Sequence, residues 1–306
     1  MRSATTKGYG ALFITSTVWG TTWVVSKFGL KDVPALQMSA IRQFIAGIIF
    51  LVFFLIIKRE KFPSPKELAW SVVMGMLLFV FANGLSTWSL YYIPSGFSAL
   101  IGALYPLSVV IIERVFYKVK LMNFLSIFGL LLGLVGVFMV FYENAFHSLN
   151  RHFYWGVALS FIAMLSWSVG TVFVIRKKVT IGPYHATGWQ MFFSGIILYV
   201  FSLSVNQHIP ITEISIAAWG AIWYLIIFGS IIAFAAFIFS IQILPAGIAS
   251  LYAYINPIVA MVLASMLLDE KLTAKIIWGS VITLIGVYLV NLSIRRARAM
   301  ASTQEK

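Results

Sequence analysis

Arg42 stands about two turns inside an apolar run, where an ionisable side chain costs roughly 2.5–3.5 kcal/mol to insert. A guanidinium grips a carboxylate through two parallel hydrogen bonds, which would make Arg42 a substrate anchor. The same side chain snorkelling to an interface, or tying helix-end carbonyls, would be a structural lock, and the residues alone leave both open. Asn83 and Thr87 lie one turn apart on a single face of another apolar run, with Ser86 between them. Tyr105-Pro106 and Asn256-Pro257 each put a polar or aromatic residue before a mid-run proline, with Ser98, Ser250, Tyr252 and Tyr254 nearby. Proline frees a backbone carbonyl, which is tolerated in hydrocarbon where the groups line a cavity, so Pro106 and Pro257 read as helix breaks. Trp19 and Trp167 sit deep in their runs, whereas Trp88, Tyr91 and Tyr92 fit an interfacial aromatic belt. Such a set, Trp19, Asn83, Thr87, Tyr105, Trp167, Tyr252 and Asn256, suits non-covalent binding of a small amphipathic solute.

Catalytic chemistry finds no support. There is no cysteine, and the four histidines (His147, His152, His185, His208) fall in loops or at run ends without metal-ligand spacing. No phosphate-cradling Gly-x-x-x-x-Gly-Lys loop, Gly-x-Ser-x-Gly elbow or His-Glu-x-x-His pair occurs. Neither a metal nor a cofactor is expected.

The elements that must position these residues follow from composition. Of 306 residues, 61% are hydrophobic and only 10% charged. A soluble fold cannot hide so much apolar side chain, and runs of about 20 residues, long enough to cross a bilayer, recur throughout. Ten spans are predicted, near 8–27, 35–57, 68–90, 95–115, 121–142, 153–175, 186–205, 217–240, 246–267 and 273–294. The formal charge of +13 would suggest nucleic acid on a soluble protein, but cytoplasmic loops of membrane proteins carry excess Lys and Arg. With the N-terminus inside, sixteen of the 22 basic residues fall on the cytoplasmic side, five opposite, and Arg42 within a span. The expectation is an all-α integral membrane protein with both termini cytoplasmic, partnered by membrane lipid and a small-molecule substrate and not by nucleic acid. Glu113 and Arg114 close the fourth span, and Glu113, beside a basic loop, reads as a solvated interfacial ion.

The two halves resemble each other. Trp19 matches Trp167 at an offset of 148, and Ala46-Gly47 matches Ser194-Gly195 at the same offset. Ile93-Pro94-Ser95-Gly96 matches Leu244-Pro245-Ala246-Gly247, and Tyr105-Pro106-Leu107 matches Asn256-Pro257-Ile258, both at 151. Gly129 and Gly136 match Gly279 and Gly286 at 150. The expected units are 1–147 and 148–306, five spans each, and an odd number inverts the second relative to the first. Inverted repeats alternately open a midplane site to either face in secondary transporters. The glycines of spans 121–142 and 273–294 offer flat faces, either for each other within one chain or for a homodimer.

Ten spans with this repeat resemble the EamA-type carriers of the drug/metabolite transporter superfamily. The matching residues are Trp19-Gly20, Arg42 with Ala46-Gly47, Pro245 and Gly247, Pro257, the run Leu268-Asp269-Glu270-Lys271-Leu272, and Gly279 with Gly286-Val287. One position departs: the first-half counterpart of Glu270 falls near Val119, without an acid. The resemblance implies a carrier, not an enzyme, in a bacterial cytoplasmic membrane, exporting amino acids or related amphipathic metabolites by alternating access. A sugar or nucleotide-sugar carrier and a non-transporting membrane partner protein are the alternatives.

Overall fold

The structure, a computed structural model, describes residues 2–118, 124–147, 152–176, 180–244, 248 and 251–304. The Pro245-Ala246-Gly247 turn, Ser250, Val119, Lys120, Arg151, Lys177, Lys178 and Lys306 lie outside the described residues. Among the described residues there is no strand, and ten long helical segments follow one another, with a short 3₁₀ turn at Ile211–Glu213. They are α1 (Arg2–Gly29), α2 (Ala35–Ile57), α3 (Pro65–Ser89), α4 (Ser95–Tyr117), α5 (Phe124–His147), α6 (Phe153–Arg176), α7 (Pro183–Ser204), α8 (Ile216–Ile243), α9 (Tyr252–Leu267) and α10 (Ala274–Gln304).

Eight of them, α2 to α8 and α10, are long and apolar enough to cross a membrane. The described part of α9 is apolar but 16 residues long. Segment α1 has 28 residues, with its apolar character diluted by threonines, serines and glycines. The outer surface is apolar, with Phe116, Phe124, Ile216 and Met266 exposed, whereas Thr15, Ser16, Gln37, Ser89 and Ser98 are buried. That inversion suits a lipid solvent, in which helix faces gain nothing by burying leucine and gain by packing small and polar groups. The chain is therefore a multi-pass helical membrane protein.

Local chemistry sets the helix ends. Ser64 and Glu67 form a reciprocal capping box at the start of α3, with Pro65 in the first turn, and Ser215 caps α8 through the Ala218 N–H. The Tyr91 hydroxyl accepts the Ala35 N–H at the start of α2, 3.1 Å away. Helix α4 is interrupted at Ala103-Leu104, so Pro106 lies in the first turn of its second part. Pro257 corrects an expectation: it does not interrupt α9, which runs helically from Tyr252 to Leu267. Proline removes one donor there, leaving the Ala253 carbonyl without its partner one turn on, and a single lost bond does not break a helix held by its neighbours. In α3 and α8, residues Met76–Gly84 and Leu225–Ile232 are wound more widely, as π-helix.

The packing has an internal regularity. Helix α2 lies along α7 and α5 along α10; α1 packs on α8 and α9, α6 on α3 and α4, and α4 on α9. Exchanging each helix for the one five places on returns the same set. Glycines permit the closest approaches, reciprocally. A Cβ on Gly47 would lie 2.4 Å from Phe192 N, and one on Gly195 would lie 2.5 Å from Phe44 N. A Cβ on Gly129 would meet Gly286 O at 2.7 Å, and one on Gly136 would meet Gly279 O at 2.5 Å. The glycine faces of α5 and α10 therefore meet each other within one chain.

Candidate functional site

Between these helices lies a cavity of about 170 Å³. Its wall draws on α1 to α4 and α6 to α9. Trp19, Asn83, Thr87, Tyr105, Trp167, Tyr252, Asn256, Arg42 and Pro257 all line it, while Pro106 is buried in α4 beside it. The structure thus brings together residues that lie up to 238 positions apart in the chain.

One wall is aromatic. The Trp19 ring meets Trp167 edge-on at 6.1 Å between centroids, Phe234 at 5.6 Å and Tyr252 at 5.4 Å. Tyr252 in turn stacks on Tyr105 at 5.8 Å. The polar wall is mostly engaged. Trp19 Nε1 donates to the Gly229 carbonyl at 3.1 Å, and Trp23 Nε1 donates to Asn256 Oδ1 at 2.9 Å. Gln43 Nε2 donates to Asn83 Oδ1 at 3.0 Å, and the Thr87 hydroxyl returns to the Asn83 carbonyl of its own helix at 2.9 Å. Arg42 Nε donates to Ser230 Oγ at 2.8 Å. Asn83 and Ser230 both sit in the wide π-helical stretches, a winding that often marks functional positions.

Sequence reasoning overlooked Gln43, Ser230 and Phe234 as wall residues. Gln43 carried a usable signal, an amide beside Arg42 in an apolar run. Phe234 carried none, because the run Ala-Phe-Ala-Ala-Phe-Ile-Phe does not say which ring faces inward. Trp88 is also not simply a belt residue: it packs against buried side chains and meets Phe201 at 6.2 Å.

Each end of α4 carries an ion pair. Where α4 begins, Glu270 accepts from the Ser95 N–H at 2.7 Å, the Ser95 hydroxyl at 2.8 Å and the Gly96 N–H at 3.2 Å, and pairs with Lys27 at 3.2 Å. A carboxylate at a helix N-terminus is favoured by the unpaired amides and the helix dipole. Where α4 ends, Glu113 pairs with Arg176 at 3.1 Å, and Arg176 also lies over the Tyr117 ring at 4.7 Å. This corrects the expectation of a solvated Glu113, which is 3% exposed, because α6 brings a guanidinium to it from 63 residues away. Lys27 and Arg176 both end the first helix of their half, so the two pairs occupy related places at opposite ends of α4, about 27 Å apart at 1.5 Å per residue. Glu270→Ala is expected to lower stability by on the order of 2 kcal/mol, the worth of hydrogen bonds to a charged acceptor. Melting in detergent checks this, and an unchanged Tm would mean that the α4 terminus is satisfied without the carboxylate.

Helices long enough to cross a membrane, arranged around a shared polar and aromatic cavity, define an integral membrane protein with an internal chamber. The EamA-like transporter family matches residues 6–142 and again residues 154–292. The chain belongs to that family. It is 32% identical to the "Uncharacterized inner membrane transporter YedA" of Escherichia coli K12, over 93% of this chain and 90% of the relative. It is 26% identical to the "Uncharacterized transporter YoaV" of Bacillus subtilis, over 92% of this chain and 95% of the relative. A solved crystal structure shares the fold, with a TM-score of 0.65 at 17% identity over 96% of this chain and 99% of that one.

Proposed function

We propose that the protein is a secondary transporter of small amphipathic metabolites, most naturally amino acids, working outward by alternating access across a bacterial cytoplasmic membrane. Ten spans would form two inverted five-helix repeats, 1–147 and 148–306, with both termini cytoplasmic. The double family match, the helix-exchange regularity and the reciprocal glycines support this arrangement. On that topology the Lys27–Glu270 pair closes the outer end and the Arg176–Glu113 pair the inner end. Both pairs are formed together here, and rocking of the repeats would break one at a time, opening the cavity to one face. Self-association through α5 and α10 would use their outward faces, Phe128, Leu131, Trp278 and Ile285, since their glycines are occupied.

The observation that carries the reading is the cavity itself: an aromatic wall and one cationic side chain, lined from both halves. Arg42 is the only charged residue among the described lining residues, too little for the phosphates of a nucleotide sugar. The test is efflux from proteoliposomes loaded with a mixed pool of amino acids, amines, sugars and nucleosides, read by mass spectrometry with and without a pH gradient. Selective loss of amino acids is expected. No loss of any solute from folded protein would favour a non-transporting membrane partner, and loss of sugars alone would favour the sugar carrier.

A further inference from the structure

Helix α7 opens on a buried histidine. His185 is 2% exposed in the first turn, and both of its ring nitrogens are engaged. Trp189, one turn on, donates its Nε1–H to His185 Nε2 at 3.1 Å. An indole nitrogen only donates, so Nε2 is bare and the ring is neutral, with its proton on Nδ1. That proton goes to Glu60 Oε2, 2.9 Å away on the segment that follows α2. Two rings hold the same stretch down: Phe54 stacks on His185 at 5.7 Å, and Phe62 meets Trp189 edge-on at 5.1 Å. Residues 54–62 thus form a strap across the start of α7, with His185 beneath it.

The other end of the same helix pair has a counterpart. Helices α2 and α7 run antiparallel, since Gly47 meets Phe192 and Gly195 meets Phe44. Gln37 opens α2, 148 positions before His185. Its Nε2 donates to the Ile209 carbonyl at 2.7 Å, and its Oε1 accepts the Ile209 N–H at 2.9 Å. An amide does not titrate, so Gln37 holds the segment after α7 whatever the pH. An imidazole holds the segment after α2 in this geometry only while it is neutral. A proton added at Nε2 sets N–H against N–H across 3.1 Å and leaves the Trp189 donor without an acceptor. It also places a buried cation at a helix N-terminus, where the dipole disfavours it. The way out is towards Glu60, whose side chain is 40% exposed and becomes the counter-ion of the imidazolium.

The surroundings leave that exit open. Helices α2, α3 and α8 pack on α7. Helix α8 carries no charged residue. From α3, Glu67 acts on His185 but spends its carboxylate on Ser64 and Thr180. Lys58, Arg59 and Lys61 on the strap and Lys66 on α3 pair with neither carboxylate among the described residues.

We propose that His185 is a proton-sensing site that fastens the inner end of the chamber. Neutral, it holds the strap on α7; protonated at Nε2, it leaves Trp189 in company with Glu60, the strap lifts, and the α2–α7 end opens to the cytoplasm. The inner placement and the effect on transport rest on the transporter reading, whereas the strap's response to a proton does not.

The chain has no cysteine, so Lys61→Cys takes a single spin label on the exposed strap. The labelled full chain is read by electron paramagnetic resonance in proteoliposomes with equal pH on both faces, from about pH 8 to about pH 5, the range in which histidines gain charge. The mobile fraction is expected to rise about threefold towards acid. Adding His185→Gln, which copies the amide of the opposite end, should abolish the rise. Efflux of the solute found in the mixed-pool assay, again at equal pH, should rise about threefold over the same range and lose that dependence in His185→Gln. A label of equal mobility at both pH values overturns the proposal, and that test stands even if His185→Gln does not fold. A rise of the same size in His185→Gln overturns it too, as does a responding strap with efflux that ignores pH. A responding strap with no efflux of any solute supports the proton site and sinks the transporter reading.

Discussion

Leucine at Gly195 should leave almost no folded protein to purify. A Cβ at that position falls 2.5 Å from Phe44 N and 2.6 Å from its Cα, and backbone atoms cannot rotate aside as a side chain does. Overpacking a well-filled interior typically costs about 1–3 kcal/mol, and a clash with the main chain of a paired helix belongs at or above the upper end. Gly47 should behave alike, since a Cβ there lies 2.4 Å from Phe192 N and 2.7 Å from its Cα. Gly10→Ala is the control: nothing lies within 4 Å of its Cβ position, and alanine is the better helix former by about 0.5–1 kcal/mol. The measurement is the monodisperse fraction of each variant in size-exclusion chromatography after extraction. A normal peak from Gly195→Leu would mean that α2 and α7 do not pack as described.

Trp167→Ala should reduce transport tenfold or more while the folded protein stays abundant. Trp167 is half-buried at the cavity wall, holding Trp19 edge-on at 6.1 Å and Phe234 at 6.5 Å. Aromatic pairs of this kind contribute about 0.5–1.5 kcal/mol each beyond the area they cover, and tenfold in affinity is about 1.4 kcal/mol. Alanine at 167 widens the chamber and frees the Trp19 ring, so the loss appears in solute handling more than in Tm. Asn256→Ala should act in the same sense by releasing the Trp23 indole. Initial efflux rates paired with melting curves separate the two effects, and normal flux in both variants would remove the binding site from this chamber.

Several of these features are readable from the chain before any fold is known. Polar, charged and aromatic residues stand out in apolar runs, which is why Arg42, Asn83, Trp19, Trp167 and Asn256 are found on inspection and then appear around one cavity. The matches of Gly47 with Gly195 and of Gly129 with Gly279 are equally visible. Their meaning is not, because self-similarity does not say that α2 lies on α7 or that each glycine receives the backbone of the opposite half. Ion pairing is hidden for the same reason: Glu113 looks solvated until α6 brings Arg176 to it, and Glu270 reads as part of a loop motif until Ser95 and Lys27 converge on it. Pro257 misleads in the other direction, because a proline signals a break only when neighbouring helices do not hold the turn.

The seam between α5 and α10 also bears on how the protein is made. Gly129 reaches the ribosome's exit 150 residues before Gly279, roughly 8–30 s at ordinary synthesis rates of about 5–20 residues per second. For that interval the glycine face of α5 has no α10 to receive it, and it meets lipid or the insertion machinery instead. A nascent chain of this kind is therefore an unfinished client of the membrane's quality control until its last helix inserts, and truncation just before Ala274 should turn a long-lived protein into a rapidly degraded one.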